Sequence, residues 1–214
     1  LMVENVEVEH VIVGAGVIGL AIGAALARKG REAFVLERGA RIGCGISSRN
    51  SEVVHSGVYY ETNSLKRCLC VEGRRLLYAY CAERGIAHRK CGKLVVATNE
   101  GEVAQVVALA RRAQENGVEN VELLDAGAVK RLEPALNAVA ALHLRETGIV
   151  DANGLMQALA CEIEEAGGAV LRWHDVVGGR RTSRDRFELE VATVSGELTI
   201  ATRTLILAAG PWTH

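Results

Sequence analysis

Val8-Glu9-His10-Val11-Ile12-Val13-Gly14-Ala15-Gly16-Val17-Ile18-Gly19, continued by the helix-forming run Leu20 to Lys29 and by Gly30, is the stretch on which the fold turns. Its first six residues end in a continuous apolar, β-branched run, the pattern of a buried parallel strand. A second apolar run, Ala33 to Leu36, delivers Glu37. Strand, glycine-rich turn, helix, strand and acid in that order make the βαβ fingerprint of a dinucleotide site.

Each residue of the turn has a physical task. Gly14 frees the backbone for a tight exit from the strand. Gly16 carries no Cβ to fend off a diphosphate, and Gly19 lets the helix lie close to the sheet. The N–H groups of the first helical turn, with Val17 and Ile18 in it, face the ligand at the positive end of the helix dipole. Glu37 lies 18 residues beyond Gly19 and is placed to accept hydrogen bonds from ribose hydroxyls. Gly19, Gly23 and Ala27 make a small-residue stripe, and Gly30 can take a left-handed cap. The alternative is a glycine-rich turn that holds no ligand.

Composition narrows the classes around this stretch. The 214 residues, 49% hydrophobic and 24% charged, suffice for one large or two small domains with a core. With 4% aromatics and a net charge of −1, neither base stacking nor a polyanionic partner is expected, so nucleic acid is excluded as partner. The six cysteines are irregularly spaced and form no CxxC pair, which points to reduced thiols in a reducing, cytoplasmic compartment. No transmembrane segment is expected, because no run approaches ~18 apolar residues. The first residues lack the basic and apolar regions of a secretory leader, and the chain does not begin with Met.

Along the chain, Ser64 predicts an N-cap for a helix to about Glu83 with Leu65, Leu69, Leu76, Leu77 and Tyr80 on one side and Gly85 as stop. Cys68 and Cys81 are expected in or near the core. Cys91 to Ala97 reads as a strand. Val103, Val106, Val107 and Ala110 trace the inner face of a helix that stops near Asn116-Gly117. Val121 to Leu124 reads as a strand, Asp125 caps a brief helix ending before Pro134, and Val139 to Leu144 alternates into a further strand. A helix with Leu155, Leu159 and Ile163 inward follows Asp151. Ala169 to Trp173 is another apolar strand, and Phe187 to Ile200 a hairpin turning at Ser195-Gly196. Arg180, Arg181, Arg184 and Arg186 are read as a solvated turn, and Thr204 to Gly210 as a last buried strand.

Several blocks carry a resemblance. They are Ser48-Arg49-Asn50-Ser51-Glu52-Val53-Val54-His55-Ser56-Gly57-Val58-Tyr59-Tyr60, Ser64-Leu65-Lys66, Cys70-Val71-Glu72-Gly73, Cys91 to Ala97, Gly148-Ile149-Val150-Asp151 and Leu207-Ala208-Ala209-Gly210. Together they resemble the FAD-dependent oxidoreductases of the D-amino-acid-oxidase type, within them most closely the L-2-hydroxyglutarate dehydrogenases. The resemblance spans essentially the whole chain. It implies an α/β fold in which a Rossmann-like FAD-binding domain, a parallel sheet with a β-meander, holds an inserted α+β portion of a substrate domain. The expected boundaries are 1–85 and 148–214 for the FAD-binding parts and 86–147 for the substrate portion, with the C-terminal remainder of such proteins beyond His214.

By the same resemblance, Gly14, Gly16 and Gly19 would hold the FAD diphosphate, and Glu37 with Arg38 the adenosine ribose and its surroundings. Ser47, Ser48, Arg49, Asn50 and Ser51 would line the way to the ribityl chain and flavin. Val176 would meet adenine through its backbone, and Ala209 and Gly210 would press against the cofactor. Two positions depart from the family: Leu207 stands where Asn is often found, and Glu52 where Gly is common.

The implied reaction is oxidation of L-2-hydroxyglutarate to 2-oxoglutarate, with hydride passing from C2 to flavin N5. His55 is the candidate base, its ordinary pKa being close to working pH; the alternative is a histidine that only hydrogen-bonds the flavin or its loop. Tyr59 and Tyr60 are candidate substrate donors, with one of them expected in the core. Lys93 is a candidate partner for a substrate carboxylate, or else a solvated lysine at a strand start. Glycerol 3-phosphate or an amino acid as substrate, and a flavin-binding piece without turnover, stay open. His10, His88, His143 and His174 lack metal-like spacing, so no metal is expected. The resemblance also admits a quinone as electron acceptor, and with it a location peripheral to a membrane.

Overall fold

Alternating apolar strands and small-faced helices build the chain as the sequence foreshadows. The computed structural model describes residues 4–213; the reading of a missing leader falls partly on residues 1–3, outside the described residues. In chain order the elements are β1 (Glu4–Val13), α1 (Val17–Ala27), β2 (Ala33–Glu37), β3 (Val53–Val54), α2 (Leu65–Arg84), β4 (His88–Arg89), β5 (Leu94–Ala97), α3 (Glu100–Glu115) and β6 (Val121–Asp125). There follow α4 (Ala126–Leu132), β7 (Ala140–Leu144), β8 (Gly148–Val150), α5 (Ala152–Glu165), β9 (Ala169–Arg172), β10 (His174–Ser183), β11 (Arg186–Thr193) and β12 (Gly196–Leu207). They form two compact units, residues 4–50 with 152–213, and Ser51–Asp151.

The first unit is a six-stranded sheet in the order β10-β11-β12-β1-β2-β9. β12, β1, β2 and β9 run parallel, with His10 opposite both Thr204 and Ala33, while β10, β11 and β12 form an antiparallel meander. From β1 the chain crosses one way to β2 and β9 and the other way to β12, so a topological switch point lies at the carboxyl ends of β1 and β12. One face packs Val11, Leu36, Leu189, Val191 and Ile200. α1 and α5 pack closely because Gly23 is small: a Cβ there would lie 2.6 Å from Ile163 Cδ1 and 3.4 Å from Val35 Cγ2. Arg28 clamps the same two helices by donating to both carboxylate oxygens of buried Glu162, at 2.5 and 2.9 Å. Gly30 takes φ +68° and ends α1 in a Schellman pair, Gly30 N–H to Ala27 O and Arg31 N–H to Leu26 O.

The second unit has two three-stranded antiparallel sheets, β3-β8-β4 and β5-β7-β6. Val106, Ala110 and Ala113 of α3 cover one face of β5-β7-β6 together with Val71 and Val58, and Val129 of α4 covers the other with Leu124 and Ala141. The Ser64 hydroxyl accepts from Arg67 N–H and the Asp125 carboxylate from Ala128 N–H, so both expected caps are present.

Four expectations are corrected. α2 does not bury its leucines: Leu65, Leu69 and Leu76 are exposed, and Val71, Arg74, Tyr78 and Cys81 face inward. The rival stripe wins because Arg74 is matched by Glu119 at 2.6 Å and Tyr78 donates to the Glu146 carbonyl at 3.0 Å. Cys68 is exposed rather than near-core, whereas Cys81 is fully buried. Arg180 and Arg181 lie on β10, not in a turn, since Arg180 sits opposite Glu188 and pairs with it across the strands at 2.6 Å. The compact units divide after residues 50 and 151 rather than after 85 and 147, because α2 makes its buried contacts within Ser51–Asp151.

Candidate functional site

Gly14 leaves β1 with φ +105°, a conformation open to glycine but strained for other residues. A Cβ on it would lie 2.6 Å from the Ala208 carbonyl oxygen and 3.1 Å from Ala209 Cα. The turn is thus pressed against the end of β12, at the switch point. Gly19 is equally confined, since a Cβ there would overlap the Gly14 carbonyl oxygen. Gly16 is the N-cap of α1, and a Cβ on it would stand 3.1 Å from Ser47 Oγ.

The turn is held by side chains from both sides. Glu37 accepts from Ala15 N–H at 3.0 Å and from Gly39 N–H at 2.8 Å. Ser47 Oγ accepts from Val17 N–H at 3.0 Å. The N–H groups of Gly16, Ile18 and Gly19 make no hydrogen bond among the described residues. Around them stand exposed apolar side chains: Ile18 (64% exposed), Ile46 (59%) and Leu207 (57%). Free amides at a helix N-terminus, a carboxylate with lone pairs to spare, and an apolar rim fit a diphosphate joined to a ribose and a flat heterocycle.

The remaining residues of the polar block are less tightly built in. Ser48 Oγ donates to Gly45 O and Asn50 Nδ2 to Ser47 O, which shapes the loop. Arg38 and Arg49 are exposed, and Ser51 opens the second unit. Val176 sits half-buried on β10 opposite Val191, beside a bulge. Gly210 takes φ +64° and starts a short 3-10 turn after Ala209. An open cleft of about 510 Å³ lies beyond Glu37, lined by Ala40, Leu171, Trp173 and His174 among others.

In the second unit the structure brings Tyr59 and Lys93 together, with the ammonium 4.7 Å from the ring centroid. Tyr60 is half-buried and faces Lys66 at 4.7 Å, so neither tyrosine is fully in the core. Lys93 follows Gly92, whose φ of +75° seats the strand start; a Cβ there would come 2.8 Å from His143 Nε2. Burial pushes the His143 imidazole below its usual range, Arg145 adds to this and Glu122 opposes it. His55 follows β3 with an exposed ring that makes no hydrogen bond among the described residues, while its carbonyl accepts from the Cys70 thiol at 3.5 Å. Burial raises the Cys70 pKa, with Arg74 and Lys66 opposing. Among the described residues no three His, Cys, Asp or Glu side chains group as metal ligands.

Sequence reading missed Ala15, Ala208, Arg74 and Asn116. The first two act through backbone atoms and leave no side-chain signal. Arg74 and Asn116 find their partners 45 or more residues away.

Comparison with known proteins bears on this arrangement. Residues 9–214 match the family model described as FAD dependent oxidoreductase. The chain is 45% identical over 152 residues to the mitochondrial L-2-hydroxyglutarate dehydrogenase of Arabidopsis thaliana, covering 71% of this chain and 32% of that protein. Glycine oxidase from Geobacillus kaustophilus superposes with a TM-score of 0.83 at 28% identity, over 96% of this chain and 56% of that one. L-alpha-glycerophosphate oxidase from Mycoplasma pneumoniae, solved with FAD bound, gives 0.85 at 22% identity, over 93% and 53%. The chain therefore spans about a third of the curated relative's length and just over half of each solved chain.

Proposed function

Because the chain belongs to the FAD dependent oxidoreductase family, we propose that it binds FAD across the turn between β1 and α1 and serves the oxidation of L-2-hydroxyglutarate to 2-oxoglutarate. The observation that carries the reading is the Glu37 carboxylate at the mouth of the turn. It accepts from Ala15 and Gly39 N–H, and about half of its roughly four lone-pair sites remain for a ribose diol. Gly16, Ile18 and Gly19 would offer their N–H groups to the diphosphate, and Ser47 holds the helix start in place through Val17. The cleft beyond Glu37, lined by Ala40, Leu171, Trp173 and His174 among others, is of the size a purine nucleoside needs; Arg38 would serve the ribose surroundings and the Val176 backbone the adenine.

When bound, the flavin supplies the acceptor for the hydride leaving C2. The chain's own residues handle charge and protons. His55, exposed and with its ring unbonded among the described residues, takes the hydroxyl proton as C2 becomes a carbonyl carbon. Lys93 offers its ammonium to a carboxylate of the substrate, with Tyr59 as a hydroxyl donor beside it and Tyr60, whose ring lies by Lys66, as a second donor. A relative of that name at 45% identity favours the 2-hydroxy acid over glycerol 3-phosphate or an amino acid. All six cysteines are free, which fits a reducing compartment; the Arabidopsis relative is named mitochondrial. Among the described residues no helix is long and apolar enough to cross a membrane.

The test is a visible spectrum of the chain loaded with FAD, before and after L-2-hydroxyglutarate. Bleaching of the flavin band by this compound is the expected result. Bleaching only by glycerol 3-phosphate or an amino acid reassigns the substrate, and failure to take up flavin ends the reading.

A further inference from the structure

We propose that Asn116 is a positioning residue for the substrate-binding pair Tyr59 and Lys93, a role that rests on the hydroxy-acid reading above. As a sequence feature Asn116-Gly117 is only a helix stop. A helix stop needs neither burial nor a long-range partner, and Asn116 has both. It is fully buried, and its Nδ2 donates to the Gly57 carbonyl at 3.1 Å and to the Tyr60 carbonyl at 2.9 Å. Both protons of the amide are thereby used. The opposite amide orientation would turn Oδ1 against two carbonyl oxygens, so the donor side is fixed by its surroundings.

Gly57 to Tyr60 is a tight turn: Tyr60 N–H points back to the Gly57 carbonyl and Gly57 has φ +96°. Tyr59 occupies the third position of that turn and has 47% of its surface exposed, so little packing holds its ring. The two carbonyls gripped by Asn116 flank it on either side. A second, long and exposed contact from the same helix end, Thr62 Oγ1 to Glu115 Oε2 at 3.5 Å, lies at the exit of the turn. The end of α3 therefore sets where the Tyr59 ring stands, and the ring sets where the Lys93 ammonium rests above it. Asn116 acts through these residues and touches no reacting atom. Among the described residues Oδ1 has no partner, so the two donated bonds are the side chain's polar contacts there.

The experiment places an isotope label at the lysine ε-carbons of the full chain and compares the wild type with Asn116→Asp, Asn116→Ser and Tyr59→Leu. The Tyr59 ring shifts the Lys93 ε-protons, and Tyr59→Leu identifies that signal by abolishing the shift. In Asn116→Asp, isosteric but without donors, the shift should collapse while the cooperative unfolding curve persists. In holoenzyme assays the KM for L-2-hydroxyglutarate should rise about tenfold, the effect of one weakened ionic contact, with kcat unchanged. Adding Asn116→Asp to the double variant Tyr59→Leu with Lys93→Met should raise KM no further. If Asn116→Asp does not fold, Asn116→Ser, which keeps one donor, decides by a partial loss of the shift. A Lys93 signal unmoved in every folded variant, or KM effects that multiply, overturns the proposal. A wild type that does not turn over the hydroxy acid refutes the substrate reading instead, and the Lys93 signal still decides the role of Asn116.

Discussion

Replacing Gly14 by alanine strikes the point where β1 and β12 meet. Two costs add there. The backbone φ of +105° disfavours any residue with a Cβ, which costs about 1–3 kcal/mol. The new methyl carbon would lie 2.6 Å from Ala208 O and 2.9 Å from Ala208 C, both backbone atoms of a paired strand, so relief requires moving β12. Overpacking of this kind costs about 1–3 kcal/mol more. The stiffer unfolded chain returns about 0.4–1 kcal/mol. The net loss is about 1–5.6 kcal/mol, read as a lower urea midpoint by tryptophan fluorescence, since Trp173 belongs to this unit. The same displacement should weaken FAD binding more than tenfold, as the free amides shift from their places. Gly73→Ala is the control. Gly73 lies inside α2 with nothing within 4 Å of a built Cβ, so alanine should gain about 0.5–1 kcal/mol by circular dichroism. An unchanged midpoint in Gly14→Ala would refute the close approach of the two strand ends.

Three further outcomes are expected. Glu37→Gln faces an NH2 group against one of two N–H donors, so it should lower stability by about 1–2 kcal/mol and weaken FAD binding in an equilibrium titration. Glu52→Gly relieves a non-glycine residue at φ +56° and should raise the urea midpoint by the equivalent of about 0.5–1 kcal/mol. Hydrogen bonds from Lys90 and then Asn120 hold the Glu146 carboxyl below its usual range. Its contribution is complete above the unfolded-chain value of about 4.3 and fades as pH falls through the lower folded value. Glu146→Gln should therefore be most destabilising at neutral pH, with its unfolding curve converging on the wild type in acid.

What could be read from the residues follows from how local the physics is. The glycine turn, Glu37 and the caps at Ser64 and Asp125 act over a few residues, or through one strand crossing, and their chemistry is written in order along the chain. The inner face of α2 was not legible. Two stripes compete on it, and the one that wins contains Arg74, whose burial makes sense only beside Glu119 and Glu146. The far end of β10 was hidden for a related reason: the arginines at Arg180 and Arg181 look like a turn until Glu188 is placed opposite Arg180. The departure at Glu52 gains a physical meaning, since a left-handed backbone explains why glycine suits that position.

The strand order also dictates when each part of the molecule can form on the ribosome. Every partner of the strands between Ser51 and Asp151 lies within that segment, so it can fold once Asp151 has emerged. β1 is made well before β12, yet its longest pairing is with that strand, from Glu4 opposite Leu198 to Val13 opposite Leu207. Until β12 is synthesised, β1 thus keeps one edge open, a long wait for a distant mate. Arrested nascent chains ending before Gly196 should bind a chaperone at β1, and chains extended past Leu207 should let it go.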